Sequence, residues 1–296
     1  MPTGAGVASQ LHLPAGTAVA GSDPVSVTPE SAGWRYTGLR VIELGGGRVR
    51  ELTTKQEEML VVPMVGGCVV EVDGSRFELT GRTSVFDRVT DFVYIPIGAD
   101  VRISSRGGGT FALPSARAER RFSAAYGSAE SVAVEVRGAG AATRQLNNFF
   151  APGVMEADRL VVVEVLTPGG NTSSYPPHKH DRAVTGGEAE LEEIYYYRFP
   201  SAHAFGMHRT YDAAGAFDVT ATVRDGDAFL VPRGYHGPCS AVPGYDMYYL
   251  NVLAGSGAER SLAFSDDPSH AWIRHSWSAQ APDPRVPMTS AVGRTR

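Results

Sequence analysis

Apolar residues in this chain come in short runs, and Gly, Pro or Asp closes most of them. Runs at 40–44, 68–72 and 92–95 in the first half, and at 160–166, 194–199, 228–231 and 247–253 in the second, are rich in Val, Ile, Tyr and Phe. Such residues suit a pleated, packed surface, and the bounding turn residues keep each run strand-sized. No stretch carries the 3.6-residue apolar period of a long helix. The pattern therefore predicts an all-β chain, a sandwich or barrel.

The runs fall into two halves that rhyme. Asp91-Phe92-Val93-Tyr94-Ile95-Pro96 has a counterpart in Asp227-Ala228-Phe229-Leu230-Val231-Pro232. One such phrase with similar strand spacing around it suggests an internal duplication. Residues 34–140 are expected to form one barrel-like unit and residues 141–278 another, with the boundary near Arg137-Gly138-Ala139-Gly140. The Gly-, Pro-, Ser- and Ala-rich segments 1–33 and 279–296 read as a flexible N-terminal arm and tail.

Composition narrows the partners. The net charge is −5 and no basic run occurs, which argues against nucleic acid. No stretch of about 18 apolar residues predicts a membrane span. The first basic residue is Arg35, so the start lacks the charged opening of a secretory signal. Two cysteines, Cys68 and Cys239, rule out a disulfide framework and fit a reducing cytoplasm. A homo-oligomer is expected.

Chemistry concentrates in the second half. Of eight histidines, none lies between His12 and His178, and five fall from 178 to 236. His178 and His180, in Pro177-His178-Lys179-His180-Asp181-Arg182, are two apart and share a face of an extended strand, while Lys179 faces away toward the exterior. A glutamate of Leu191-Glu192-Glu193 and His236, delivered by a Pro-x-Gly turn after the run 228–231, complete a set of three imidazoles and a carboxylate. That donor set suits one divalent ion such as zinc, manganese, iron or nickel. Cys239 is a weaker candidate ligand than its neighbour His236. The first half holds no histidine at equivalent positions and reads as a structural or gating partner.

These phrases resemble a known family. The segments 167–171, 173–181, 226–236 and 243–251 are similar to the 5-deoxy-glucuronate isomerase family of the cupin superfamily, with the related 5-keto-4-deoxyuronate isomerases sharing the His-x-His-Asp-Arg phrase. The resemblance covers roughly residues 34–275. It implies two tandem cupin-type β-barrels (a bicupin) and a metal held by His178, His180, Glu193 and His236. The family's ligand glutamate immediately precedes the aromatic strand, which selects Glu193 over Glu192 and puts Tyr195 and Tyr197 on its face. The insert 183–191 is longer than the general cupin spacing.

The implied reaction converts 5-deoxy-glucuronate, a small sugar acid, to 5-dehydro-2-deoxy-gluconate in myo-inositol degradation. Such an aldose–ketose shift needs a base near the migrating proton. Glu164, a carboxylate inside an apolar strand, is the expected base, with a structural ion pair as the alternative. Tyr195 and Tyr197 are candidate proton shuttles. Arg182, two residues past His180, is the expected partner of the substrate carboxylate, and Arg209 is the second choice. Rival readings are an iron-dependent cupin dioxygenase and a non-catalytic sugar-acid binding module.

Overall fold

A computed structural model describes residues 11–295. Strands carry almost all of its regular structure, and the α-helices among the described residues are the short Pro29–Ala32 and Trp272–Ser276. The fold is all-β. No described helix is long and apolar enough to cross a membrane.

In the first half the 16-residue strand Glu57–Val72 bends and is shared. Its opening part pairs with Phe92–Ile95 and Gly109–Arg117, and its closing part with Ser75–Arg82 and Asp100–Ser104. One long strand serving two sets of partners curls a nine-stranded sheet over its own apolar face. In the second half a seven-stranded and a six-stranded sheet cover a common interior. Neighbour order repeats between the halves. Phe92–Ile95, Glu57–Val72, Gly109–Arg117 and Thr37–Leu44 lie side by side in one; Ala228–Val231, Leu191–Arg198, Met247–Gly255 and Val161–Thr167 do so in the other. The two rhyming phrases thus occupy the same place in each order.

Three apolar clusters hold this together. One fills the first-half interior, one the second-half interior, and one lies between the halves. The strand Val161–Thr167 shows why its sequence is apolar on both faces. Val161, Val163 and Val165 point into the second-half interior, while Val162 and Leu166 belong to the cluster between the halves, together with Val41, Leu60 and Val62 of the first half. A strand covered on both sides loses the apolar–polar alternation of a half-exposed one.

Three sequence expectations change. The arm of residues 1–33 is packed over its described part: His12–Leu13 pairs with Phe229 and Ala228, and Val25–Val27 pairs along Leu39–Val41 with both valines buried. Residues 1–10 lie outside the described residues. The tail is also docked, because Gln145 accepts from the backbone N–H of Met288 and Thr289 at 2.6 and 3.0 Å. The change of half lies earlier than residue 140. Ala125–Gly127 still pairs with Phe92–Tyr94, whereas Ala133–Arg137 already pairs with Arg144–Asn148 of the second-half sheet. The Gly138–Gly140 stretch that looked like a linker is a hairpin turn inside that sheet, for glycine marks both kinds of break.

Candidate metal centre

Leu191–Arg198 runs through the middle of the second-half sheet, paired on both sides. By alternation Glu193, Tyr195 and Tyr197 point inward and Glu192, Ile194 and Tyr196 outward. Glu192 is engaged there, accepting from the backbone N–H of Arg35, Tyr36 and Thr37 at 2.6, 2.8 and 2.9 Å. His236 is the second residue of the facing strand Tyr235–Ala241, and His178 is its cross-strand partner. Past His236 the two segments nearly touch: a Cβ on Gly237, whose φ is +93°, would fall 1.7 Å from the Ser174 carbonyl oxygen. Only glycine fits there.

The insert 183–191 does not separate His180 from Glu193. The N–H of Leu191 donates to the His180 carbonyl at 2.8 Å, and His180 Nδ1 lies 3.1 Å from the Leu191 carbonyl. Within the loop, buried Glu188 accepts from Lys179 Nζ at 2.8 Å and from the N–H groups of Asp181 and Arg182 at 2.9 and 3.1 Å. Lys179 does face away from the histidines, but it is a buried ion-pair partner rather than a solvated exterior residue.

Glu193 Oε2 lies 3.0 Å from His180 Nε2 and 3.2 Å from His236 Nε2, and the three donor atoms lie within 4.8 Å of one another. All three groups are buried. Backbone carbonyls sit opposite the Nδ1 atoms of His178, His180 and His236, at 3.1, 3.1 and 3.5 Å. Occupying Nδ1 in this way leaves each Nε2 as the free ring nitrogen. His236 Nε2 is buried without a hydrogen-bond partner. A divalent cation supplies what that atom lacks, so His180, Glu193 and His236 fit one such ion. His178 stands beside this triad, its ring centroid 4.5 Å from that of His236.

Electrostatics separate the rings. Burial, with His180 adding to it, pushes His178 down to about 3. Burial also takes His236 well below its ordinary value, against the opposing pull of Glu193. Burial opposes charge on His180 too, but its hydrogen bond and charge interaction with Glu193 raise it. Neutral imidazoles are the form that binds a metal.

The cavity beside the triad holds about 360 Å³ and is lined by His178, His180, Glu193 and Tyr195. Tyr195 reaches Ser174 Oγ at 2.9 Å, and burial raises its phenol well above the ordinary tyrosine range. Tyr197 lies deeper, its hydroxyl 2.7 Å from His208 Nδ1. Cys239 is buried beside it, its thiol pushed up to about 12 by burial, and stands outside the donor triad.

Glu164, expected as the base, is on the wrong face. Its neighbours Val163 and Val165 line the cavity, while Glu164 turns to the layer between the halves. There it pairs with Arg82 of the first half and accepts from Tyr248 at 2.6 Å and Asn147 at 3.1 Å. A buried carboxylate needs partners, and here they are structural. The two expected carboxylate-binding arginines are also elsewhere. The side chain of Arg182 is 74% exposed, and Arg209 forms a bidentate pair with Asp218 at 2.9 and 2.7 Å. The strand ends at Lys179, so the alternation that placed Arg182 beside His180 does not reach it.

Arg137, Arg144, Arg274 and Asn251 line the cavity and were not singled out from sequence. Arg137 pairs with Glu135 and Arg274 with Asp266, each through two hydrogen bonds. Asn251 carried a legible signal, a polar residue inside the apolar run 247–253, the same feature that drew attention to Glu164. The arginines had none, because they converge from separate segments.

Residues 12–273 match the model of the KduI/IolB family. A 5-deoxy-glucuronate isomerase from Geobacillus kaustophilus is 39% identical over 270 residues, covering 90% of this chain and 96% of that protein. The crystal structure of an IolB-like protein from Salmonella typhimurium LT2 superposes with a TM-score of 0.83 at 34% identity, covering 89% of this chain and 98% of that one. An oxalate decarboxylase variant from Bacillus subtilis reaches 0.60 at 12% identity, covering 86% and 79%, a likeness of fold alone.

Proposed function

Because the chain belongs to the KduI/IolB family, we propose that it is a metal-dependent aldose–ketose isomerase converting 5-deoxy-glucuronate to 5-dehydro-2-deoxy-gluconate. The observation that carries the reading is the convergence of His236, with its orphaned ring nitrogen, on His180 and Glu193, which line a cavity of about 360 Å³. His178 is the fourth ligand in this proposal, since its Nδ1 is occupied by Pro176 and its ring borders the triad. A bound divalent ion supplies Lewis-acid polarisation of a carbonyl and its neighbouring hydroxyl.

In the reaction one proton moves from the hydroxyl-bearing carbon to the adjacent aldehyde carbon and a second from that hydroxyl to the aldehyde oxygen, so the aldehyde becomes a primary alcohol and the hydroxyl a ketone. Tyr195 is the protein group placed to handle a proton at the cavity wall. Held neutral by burial and bonded to Ser174, it donates a hydrogen bond to a developing oxyanion and draws on Ser174 as its relay. Tyr197, occupied by His208, supports Tyr195 rather than the substrate.

The repeated strand order and the fold likeness to an oxalate decarboxylase support reading the chain as two tandem cupin-type barrels. In this reading the first unit ends near residue 127 and the second begins near 133. Two buried free thiols suit a reducing cytoplasm.

The test is an anaerobic assay of the metal-loaded protein with 5-deoxy-glucuronate in deuterated water, followed by NMR. Isomerisation without oxygen, with deuterium entering the new primary-alcohol carbon, is expected. Turnover that requires oxygen would assign a dioxygenase, and binding without turnover a sugar-acid binding module.

A further inference from the structure

Among the described residues, three buried side-chain atoms have no hydrogen-bond partner: His236 Nε2, Asn251 Nδ2 and Trp277 Nε1. The first two adjoin one cavity, and the third belongs to a neighbour of Arg144, which lines it. His236 belongs to the triad, Asn251 lines the wall, and the Trp277 ring lies 5.5 Å from the guanidinium carbon of Arg144. Arg144 is only 5% exposed and lines the same wall. Its Nη1 donates to the carbonyls of Ala142 and Tyr175 at 3.1 and 3.3 Å, and among the described residues no carboxylate pairs with it. Arg137 and Arg274 beside it each have a carboxylate of their own. A guanidinium withdrawn from water without an anion is costly, and a planar fork is shaped for a carboxylate.

We propose that Arg144 holds the substrate's carboxylate and Asn251 one of its hydroxyls, so that the acid end docks at Arg144 and the reacting carbons at the triad. The choice of a sugar acid as ligand rests on the isomerase reading; the need of this wall for an anion does not. Burial lowers Arg144 to about 10, so the guanidinium is still charged at neutral pH. Arg137 and Arg274 add positive field without competing for the anion's contacts, because their forks are filled. Asn251 shares its face with Tyr249 and Leu253, which also line the cavity, so its amide points at the ligand rather than into the layer between the halves.

The test compares binding of two non-isomerisable probes by calorimetry on the metal-loaded protein: the borohydride-reduced sugar acid and its methyl ester. The wild type should bind the acid at least about 30-fold more tightly than the ester, the scale of a charge-assisted bidentate contact. Arg144→Gln should bring acid and ester to within about threefold of each other. Arg144→Lys should restore part of the ratio, and Asn251→Leu should weaken both probes by about tenfold. An Arg144→Gln protein that keeps the acid–ester ratio overturns the proposal. So does a wild type that binds the two probes equally, which keeps the test decisive if the variant fails to fold. A wild type that discriminates through Arg144 yet turns over no 5-deoxy-glucuronate supports this inference while removing the isomerase reading.

Discussion

The two halves share a strand order and differ in what they enclose. The first-half interior is filled by Met59, Val61, Val70, Val93, Ile95, Ile103 and Phe111, and among the described residues it leaves no polar side chain unmatched. At the corresponding depth the second half buries His180, Glu193, His208 and His236 among Tyr195, Tyr197 and Tyr249. Apolar side chains fill space and stabilise by burial alone. Imidazoles and carboxylates buried in the same space need partners, and His236 Nε2 and Asn251 Nδ2 find none inside the protein. One strand order therefore serves as scaffold in one half and as a reactive site in the other. Architecture decides where side chains project, and chemistry depends on which ones do.

The largest effect should come from emptying the second interior of its donors. His236→Ala is expected to lose stoichiometric metal and to lower turnover by at least ~10³-fold, while circular dichroism still shows a folded β protein. Metal analysis checks this, and full metal retention would remove the site. Glu193→Gln should weaken metal binding far more than Glu192→Gln, because only Glu193 faces the triad. Phe111→Ala, in the first interior, should reverse the pattern. It is expected to cost about 3–5 kcal/mol in denaturant unfolding and leave metal content intact.

The layer between the halves sharpens the contrast. Glu164→Ala strands Arg82, which is fully buried, and should destabilise the protein by about 3–5 kcal/mol. Pairing it with Arg82→Met should recover much of that loss. If Glu164 were the catalytic base, the double variant would fold yet fail to turn over; near-normal kcat is expected instead.

A smaller effect concerns pH. Burial lowers His208 to about 3, below the ordinary histidine value of about 6.5. The unfolded chain therefore binds this proton more readily than the folded one between those values. Stability is full above about pH 6.5 and falls by up to about 1.4 kcal/mol per pH unit as pH drops toward 3. His208→Phe should flatten that part of a stability–pH profile measured by urea unfolding. Smallest of all, Arg182→Lys should change the Michaelis constant by less than about twofold, as expected of an exposed residue outside the cavity.

Much of the site was legible because it is local. His178 and His180 are two apart, Glu193 precedes an aromatic strand, and His236 follows a recognisable turn. Glu164 misled for a physical reason. A carboxylate in an apolar strand signals that something compensates it, and sequence does not say whether that is a substrate or an arginine 82 residues away. Arg182 misled because alternation was extended past the end of a two-residue strand.

Strand composition, turn residues and histidine spacing determined by themselves that the chain is all-β and that its second half carries the donors, since both follow from short-range backbone geometry. Tertiary structure decided the rest: the packing of the N-terminal segment onto the second-half sheet, the pairing of Glu164 with Arg82, and the arrival of Arg144 and Asn251 at the cavity wall. Each brings together segments far apart in the chain. Local propensity carries no record of which distant segment will cover a given face, so only the packed sheets could choose among them.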